Sequence, residues 1–330
     1  MQVAQQGRLL ADGFSLGTQL WRGTGGAGLK VLCLHGWLDN SNSFKRLAPQ
    51  LSTSGHEVLA LDLPGHGYSS HFDARAGYPH IRHVKVVKDA LDQLGWKPEE
   101  TVLCGHSMGA GISLLFAGTF PERLAKLVLI DGFGPYVSKE DRAASNLRKA
   151  IESEEKMVTS PPKKYSTLGD AISARVRIVS TYRGSQSLSK EAAESLVRRG
   201  AFYPSESSEK ASWENTQRTD LATGCLSLLE NEGPVSFRYD PTLLQPSLSY
   251  LTKEQVDNFV AQITCPVLLA QAENGWPVDP AEYADRVKII SEKGKFIHKV
   301  LLGSHHLHLD PDTSAAVGSE VLDFLSRSSS

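Results

Sequence analysis

Gly105-His106-Ser107-Met108-Gly109 places a hydroxyl between glycines at a junction of two elements. Thr101-Val102-Leu103-Cys104 before it is apolar or β-tolerant enough for a buried strand, and Met108 to Phe120 after it reads as a helix, so Ser107 falls on the sharp turn between them. A side chain at the apex of such a turn is forced toward positive φ. Gly105 and Gly109 remove the Cβ atoms that would otherwise collide there. Gly109, Ala110 and Gly111 also let the helix pack closely on its sheet. The Ser107 oxygen then stands clear at the carboxyl edge of the sheet with a helix N-terminus behind it. A serine hydroxyl is a weak nucleophile by itself, so acyl transfer follows only if a histidine and a carboxylate reach it.

The elements that must deliver those partners run through the whole chain. Phe14 to Trp21 alternates as one arm of an antiparallel hairpin. Lys30 to Leu34 is a continuous apolar run, as expected of a central strand covered on both faces. It ends at His35-Gly36-Trp37, a turn at a strand's carboxyl end, where open α/β sheets bind ligands. Its backbone amides are candidates for holding an oxyanion, and the plain alternative is a chain reversal with a packed Trp. Asn42 to Leu51 reads as a short amphipathic helix and Glu57 to Asp62 as the next buried strand. The turn Leu63-Pro64-Gly65-His66-Gly67 follows, with His66 a hydrogen-bonded turn residue rather than a catalyst. A helix from Ile81 to Leu94, the Ser107 strand and helix, and a strand from Leu127 to Ile130 ending in Asp131 complete this half. Strands alternating with helices in this way argue for a parallel, doubly wound α/β sheet.

From Phe133 to about Thr264 the sequence becomes charged and helical in pieces, broken at Pro161-Pro162 and Pro204, with no comparable buried strand. This divides the chain into a core of 1–132 and 263–330 and a helical cap insertion of 133–262, which would lie over the carboxyl edge and wall a substrate pocket. The sheet resumes at Val267 to Ala270. A helix from Pro280 to Ser291 and a last strand from Lys299 to Leu302 lead into Gly303-Ser304-His305-His306-Leu307-His308, and a helix from Thr313 to Leu325 closes the chain.

Composition narrows the partners. With 37 acidic against 35 basic residues the net charge is -2, which gives no global field to recruit nucleic acid or an acidic membrane. No stretch approaches the ~20 apolar residues of a membrane span, and Met1 to Gly7 lacks the pattern of a secretory leader, so a cytoplasmic protein is expected. Cys33, Cys104, Cys225 and Cys265 show no C-x-x-C spacing and read as reduced packing thiols. The polar tail at Ser326 to Ser330 is not a peroxisomal address. No cofactor is called for, and oligomeric state is not encoded in any motif.

Several motifs stand in the order of a known superfamily. They are Leu34-His35-Gly36-Trp37-Leu38-Asp39-Asn40 with Ser43-Phe44, Asp62 with Gly65-His66-Gly67 and Ser69-Ser70, Gly105 to Gly109, and Leu129-Ile130-Asp131. Over nearly its whole length the chain resembles the α/β-hydrolases. Within them it is similar to the serine hydrolase-like proteins, through the His-Gly-Trp-Leu-Asp-Asn stretch and Arg238-Tyr239-Asp240-Pro241. The resemblance implies the α/β-hydrolase fold, with a mostly parallel sheet flanked by helices and a helical cap. It also implies Ser107 as nucleophile, the amides of Trp37 and Met108 as oxyanion hole, and His305 as base, with His306 one residue away as the alternative. As a bare cluster, His305, His306 and His308 also read as a surface group or a metal patch, but no clustered carboxylate or thiol completes a metal site.

The acid departs from the family pattern. Most relatives place an Asp shortly after the strand that is here Val267 to Ala270, and this chain has Gly275 at that position. Asp131, at the end of the preceding strand, is the favoured substitute, because strand ends are positioned more rigidly than loops. Dehalogenase-like relatives take their acid from that place. Asp279 and Glu273 are the alternatives. Dehalogenase and epoxide-hydrolase chemistry in their usual form need a carboxylate nucleophile at the elbow, and Ser107 argues against both. The expected function is a serine hydrolase, esterase-like, acting on an ester, thioester or similar acyl bond of a small apolar substrate. A catalytically silent fold used for ligand binding or interaction is the alternative.

Overall fold

The apolar runs become strands because each must bury both of its faces, and the sheet they build does so. The computed structural model describes residues 4–25, 28–73, 77–157, 163–184, 186–202, 233–293 and 295–327. Gly26, Pro161, Pro162, Pro204, Cys225, Met1 to Val3 and the Ser328 to Ser330 tail lie outside the described residues. Eight strands form the main sheet: β1 (Gln5–Ala11), β2 (Phe14–Trp21), β3 (Lys30–Leu34), β4 (Glu57–Leu61), β5 (Thr101–His106), β6 (Lys126–Ile130), β10 (Val267–Asn274) and β11 (Phe296–Ser304). Their order is β1-β2-β4-β3-β5-β6-β10-β11. The pairs β1/β2 and β2/β4 are antiparallel and the rest are parallel. The hairpin arm missing from the sequence reading is β1. It turns into β2 through Asp12 and Gly13, both at positive φ, as a tight hairpin requires.

Side chains alternate between two apolar layers with the strand period of two. Leu32, Leu34, Leu59, Leu61, Leu103, Leu127 and Leu129 face a layer that includes residues of α2 (His80–Leu94) and α3 (Met108–Thr119). Val31, Cys33, Val58, Ala60, Val102, Cys104, Val128 and Ile130 face the opposite layer, with residues of α1 (Leu47–Thr53) and the C-terminal helix Ser314–Ser326. Cys33 and Cys104 are register partners across β3 and β5, and both, like Cys265, are buried free thiols. Among the described residues no helix is long and apolar enough to cross a membrane.

Two sequence expectations need correction. The helix expected over 42–51 is a 3-10 turn, Ser41–Phe44, followed by α1. Pro49 has no N–H and its ring clashes with the carbonyl four residues back, so it is accommodated only in the first turn of a helix starting at Leu47.

The insertion is also smaller than 133–262 and not wholly helical. It contains α4 (Ala143–Met157), α5 (Leu168–Ser180), α6 (Lys190–Gly200) and a three-stranded antiparallel sheet of β7 (Lys164–Tyr165), β9 (Val235–Phe237) and β8 (Ala201–Phe202). The chain leaves and returns at one place, where Val137 bridges Leu251 and Ser138 N–H donates to Leu251 O at 3.1 Å. The next helix, α7 (Lys253–Gln262), belongs to the core. Val256 and Val260 join its apolar layer, and Gly118 of α3 permits a backbone approach in which a Cβ would lie 2.3 Å from Phe259 O. Helices α8 (Pro280–Ser291) and α9 (Ser314–Ser326) complete the fold.

The cap is tied down by charge as well as by its own apolar cluster. Arg199 of α6 is buried against Asp62, at the end of β4, at 2.8 Å, and Asp62 also accepts the amides of Ser41 and Tyr68. Arg175 of α5 pairs with Asp39, which is equally buried.

Candidate active site

Ser107 sits where β5 stops and α3 begins, at φ 52° and ψ -114°. That backbone is costly for a residue with a Cβ and persists because its surroundings over-determine it. The Ser107 amide donates to Ile130 O at 3.0 Å, and a Cβ at Gly109 would lie 2.0 Å from Leu34 O, so the elbow is pressed against the ends of β6 and β3. Met108 is the first residue of α3, and its amide is among those that no carbonyl within the helix can take.

His305 follows β11 and reaches both partners. Its Nε2 lies 2.8 Å from Ser107 Oγ, and its Nδ1 lies 2.6 Å from Asp131 Oδ2. Asp131, at φ 43°, is fixed by backbone: its amide donates to Ala270 O, Oδ1 accepts Ala272 N–H and Oδ2 accepts Trp276 N–H, each at 2.9 Å. Burial works against the ionised form of Asp131, but the His305 ring and the two amides outweigh it and hold the pKa below the ordinary carboxylate value. For His305, burial is the largest influence and pushes its pKa below the usual value despite the Asp131 carboxylate. The ring is therefore neutral near pH 7, with its proton on Nδ1 toward Asp131 and a lone pair on Nε2 toward the serine.

The other candidates have different positions. Asp279 is exposed and caps α8, accepting Ala281 N–H at 2.9 Å, and Glu273 is exposed near the end of β10. His306 is buried beside Asp39, with Nε2 3.3 Å from Oδ2, and burial pushes its pKa down to about 4. His308 Nε2 meets Ser43 Oγ at 2.7 Å. The three histidines are thus not a surface group: all are buried and each faces a different partner.

The turn carrying Trp37 is braced from below. His66 Nδ1–H donates to Pro64 O at 3.0 Å, leaving Nε2 to accept Leu38 N–H at 3.2 Å, with Leu38 held at φ 60°. His35 Nε2 accepts Leu63 N–H at 2.9 Å. Trp37 itself is partly exposed, and its indole N–H donates to Leu243 O of the cap at 2.8 Å.

One residue had no signal in the sequence. Gln186, buried in the cap, accepts His305 N–H at 3.0 Å and Ser304 Oγ–H at 2.8 Å through Oε1, and donates from Nε2 to Gly275 O at 2.6 Å. Only the docking of the cap brings this amide to the base. Trp276 and Tyr182 complete the surroundings as an aromatic pair, with ring centroids 5.6 Å apart and Trp276 5.5 Å from the His305 ring.

Comparison with known proteins gives the family. Residues 30–312 match the sequence model of the alpha/beta hydrolase fold family. A serine hydrolase-like protein of Dictyostelium discoideum is 26% identical over 325 residues, covering 96% of this chain and 80% of that protein. A serine hydrolase-like protein of Danio rerio is 28% identical over 306 residues, covering 90% and 82%. Among solved structures, a hypothetical protein from Pseudomonas aeruginosa PAO1 is 34% identical and superposes with a TM-score of 0.78, covering 98% of this chain and 100% of that one. The chain belongs to the α/β-hydrolase fold family and resembles its serine hydrolase-like members over nine-tenths of its length.

Proposed function

We propose that this protein is an esterase-like serine hydrolase that cleaves an ester, thioester or similar acyl bond of a small apolar substrate. The observation that carries the reading is the position of His305, 2.8 Å from Ser107 Oγ on one side and 2.6 Å from Asp131 on the other. In this reading His305 Nε2 takes the hydroxyl proton as Ser107 Oγ attacks the carbonyl carbon, and Asp131 steadies the imidazolium that forms. The carbonyl oxygen becomes anionic and accepts from the amides of Met108 and Trp37. His305 then returns the proton to the leaving alcohol or thiol, and water releases the acyl group by the same steps. The Trp276 ring beside His305, itself packed on Tyr182, supports an apolar substrate.

The 2.6 Å contact of Asp131 with His305 Nδ1 supports this reading over a catalytically silent fold used for binding.

The test is steady-state hydrolysis of p-nitrophenyl acetate and butyrate by the wild type beside Ser107→Ala, Asp131→Asn and Asp279→Asn. Ser107→Ala is expected to fall to background. Asp131→Asn should lose about 10³ to 10⁴-fold in kcat, and Asp279→Asn should match the wild type. A wild type no faster than Ser107→Ala across acyl lengths would sink the proposal.

A further inference from the structure

Three segments at the carboxyl edge of the sheet converge behind the triad, bringing ligand atoms of Asp39, His106 and His306 within 4.8 Å of one another. All three residues are at most 3% exposed. His106 Nε2–H donates to the His305 carbonyl at 2.9 Å, which leaves Nδ1 as a lone pair facing Asp39 Oδ2 at 3.6 Å. Neither of these two buried acceptors has a hydrogen-bond partner. Two lone pairs turned toward each other call for an electron-poor centre between them. His306 Nε2 lies 3.3 Å from the same carboxylate oxygen, so the clustered carboxylate that the sequence did not show beside these histidines is brought there from a distant segment.

These separations suit coordination. Ligand atoms bound at about 2.0–2.1 Å around tetrahedral zinc stand roughly 3.3–3.4 Å apart. Gly36 keeps the space beside them open, since a Cβ there would lie 2.9 Å from His106 Nδ1 and 3.1 Å from Asp39 Oδ2. The other carboxylate oxygen is held by the Arg175 guanidinium, the kind of outer partner that orients a metal-ligating carboxylate. A small cavity between cap and core is lined by Leu38, Asp39, Asn40, Arg175 and Tyr239.

We propose that Asp39, His106 and His306 form a binding site for one divalent transition-metal ion of the zinc class, separate from the triad. Arg175 already balances the Asp39 charge, so a dication adds net charge to a buried site and binds more weakly than in structural zinc sites. His106 precedes Ser107 and bonds the His305 carbonyl, so an occupied site lies against both the nucleophile and the base. Metal uptake then lowers hydrolase activity reversibly, a consequence that rests on the function proposed above, whereas binding itself does not.

Metal-stripped protein would be titrated with Co²⁺, read by the visible bands of four-coordinate cobalt, and with Zn²⁺ by calorimetry. One equivalent is expected in the wild type, in Ser107→Ala and in His305→Ala. At least a tenfold loss of affinity and loss of the bands is expected in His306→Gln and Asp39→Asn. If Asp39→Asn fails to fold, His306→Gln decides, with circular dichroism reporting its fold. Undiminished binding in His306→Gln, loss of binding in His305→Ala, or no cobalt bands in the wild type would each overturn the site. In the last case a proton on His106 separates the two acceptors instead. Because binding is read without substrate, these outcomes stand whether or not the hydrolase activity is found.

Discussion

The carboxylate of Asp131 occupies the space that a side chain at Gly275 would need: a Cβ built there lies 2.1 Å from Oδ1 and 2.6 Å from Oδ2. The absence of a side chain at Gly275 is therefore what leaves room for the Asp131 carboxylate beside His305. Gly275→Ala should displace the carboxylate and lower kcat by about 10²-fold or more, since a misplacement near 1 Å costs that much. In Asp131→Gly, adding Gly275→Asp should recover part of the lost rate by returning the acid to the neighbouring strand. Ester hydrolysis by the single and double variants checks both, and a Gly275→Ala enzyme with wild-type kcat would contradict the argument.

The acid limb of the pH profile follows from His305. The base must be neutral, and burial depresses its pKa, so kcat/KM should hold below pH 6.5 and fall only at lower pH. Rate measurements from pH 4 to 8 locate that limb, which would instead lie above 6.5 if the Asp131 contact dominated.

Stability should fall in the same direction. His306 titrates at about 4 and His83 at about 3 because burial disfavours their charged forms, whereas both take up protons near 6.5 once unfolded. The unfolded chain therefore binds more protons as pH falls below 6.5, and stability drops from 6.5 to about 4 through His306 and on to about 3 through His83. The depressed Asp131 pKa adds to the loss at still lower pH. Thermal unfolding between pH 7 and 4 should show a falling Tm, with a shallower slope in His306→Gln.

His66 braces the turn proposed to hold the oxyanion, its Nε2 accepting Leu38 N–H at 3.2 Å. Removing it in His66→Ala frees Leu38 N–H and loosens the Trp37 amide, with an expected loss of about 10 to 10²-fold in kcat and little change in KM. Kinetics on the folded variant make the test; a change confined to KM would argue against a role at the oxyanion.

Gln186 couples the cap to the base. In Gln186→Leu the His305 amide and the Gly275 carbonyl both lose their partner, so kcat should fall by about 10²-fold. The downfield proton resonance of His305 Nδ1–H should shift or broaden as well. A purely structural role would lower Tm and leave that resonance in place.

Arg199→Ala leaves Asp62 buried without its counter-charge. A loss of about 3–5 kcal/mol is expected, measured by denaturant unfolding.

The sequence by itself determined the sheet and the elbow. Val31, Leu32, Cys33 and Leu34 can only be a strand buried on both faces, and glycines at 105 and 109 around Ser107 specify a strained strand-to-helix turn, because both signals are local in the chain. Through the family resemblance it also narrowed the carboxylate to Asp131, Asp279 or Glu273, with Asp131 favoured at the end of a recognisable apolar strand. What it left open were relations between residues far apart in the chain. The contact of Asp131 with His305 depends on the absence of a side chain at Gly275, and it is the His305 ring that turns toward Ser107 while the His306 ring turns toward Asp39. Gln186 and Arg199 lie in a stretch whose periodicity is weak and whose strands are only two or three residues long, so their contacts with His305 and Asp62 exist only once the cap docks. Local pattern fixes which elements form; the packing of one element's side chains into the gaps left by another decides which groups meet.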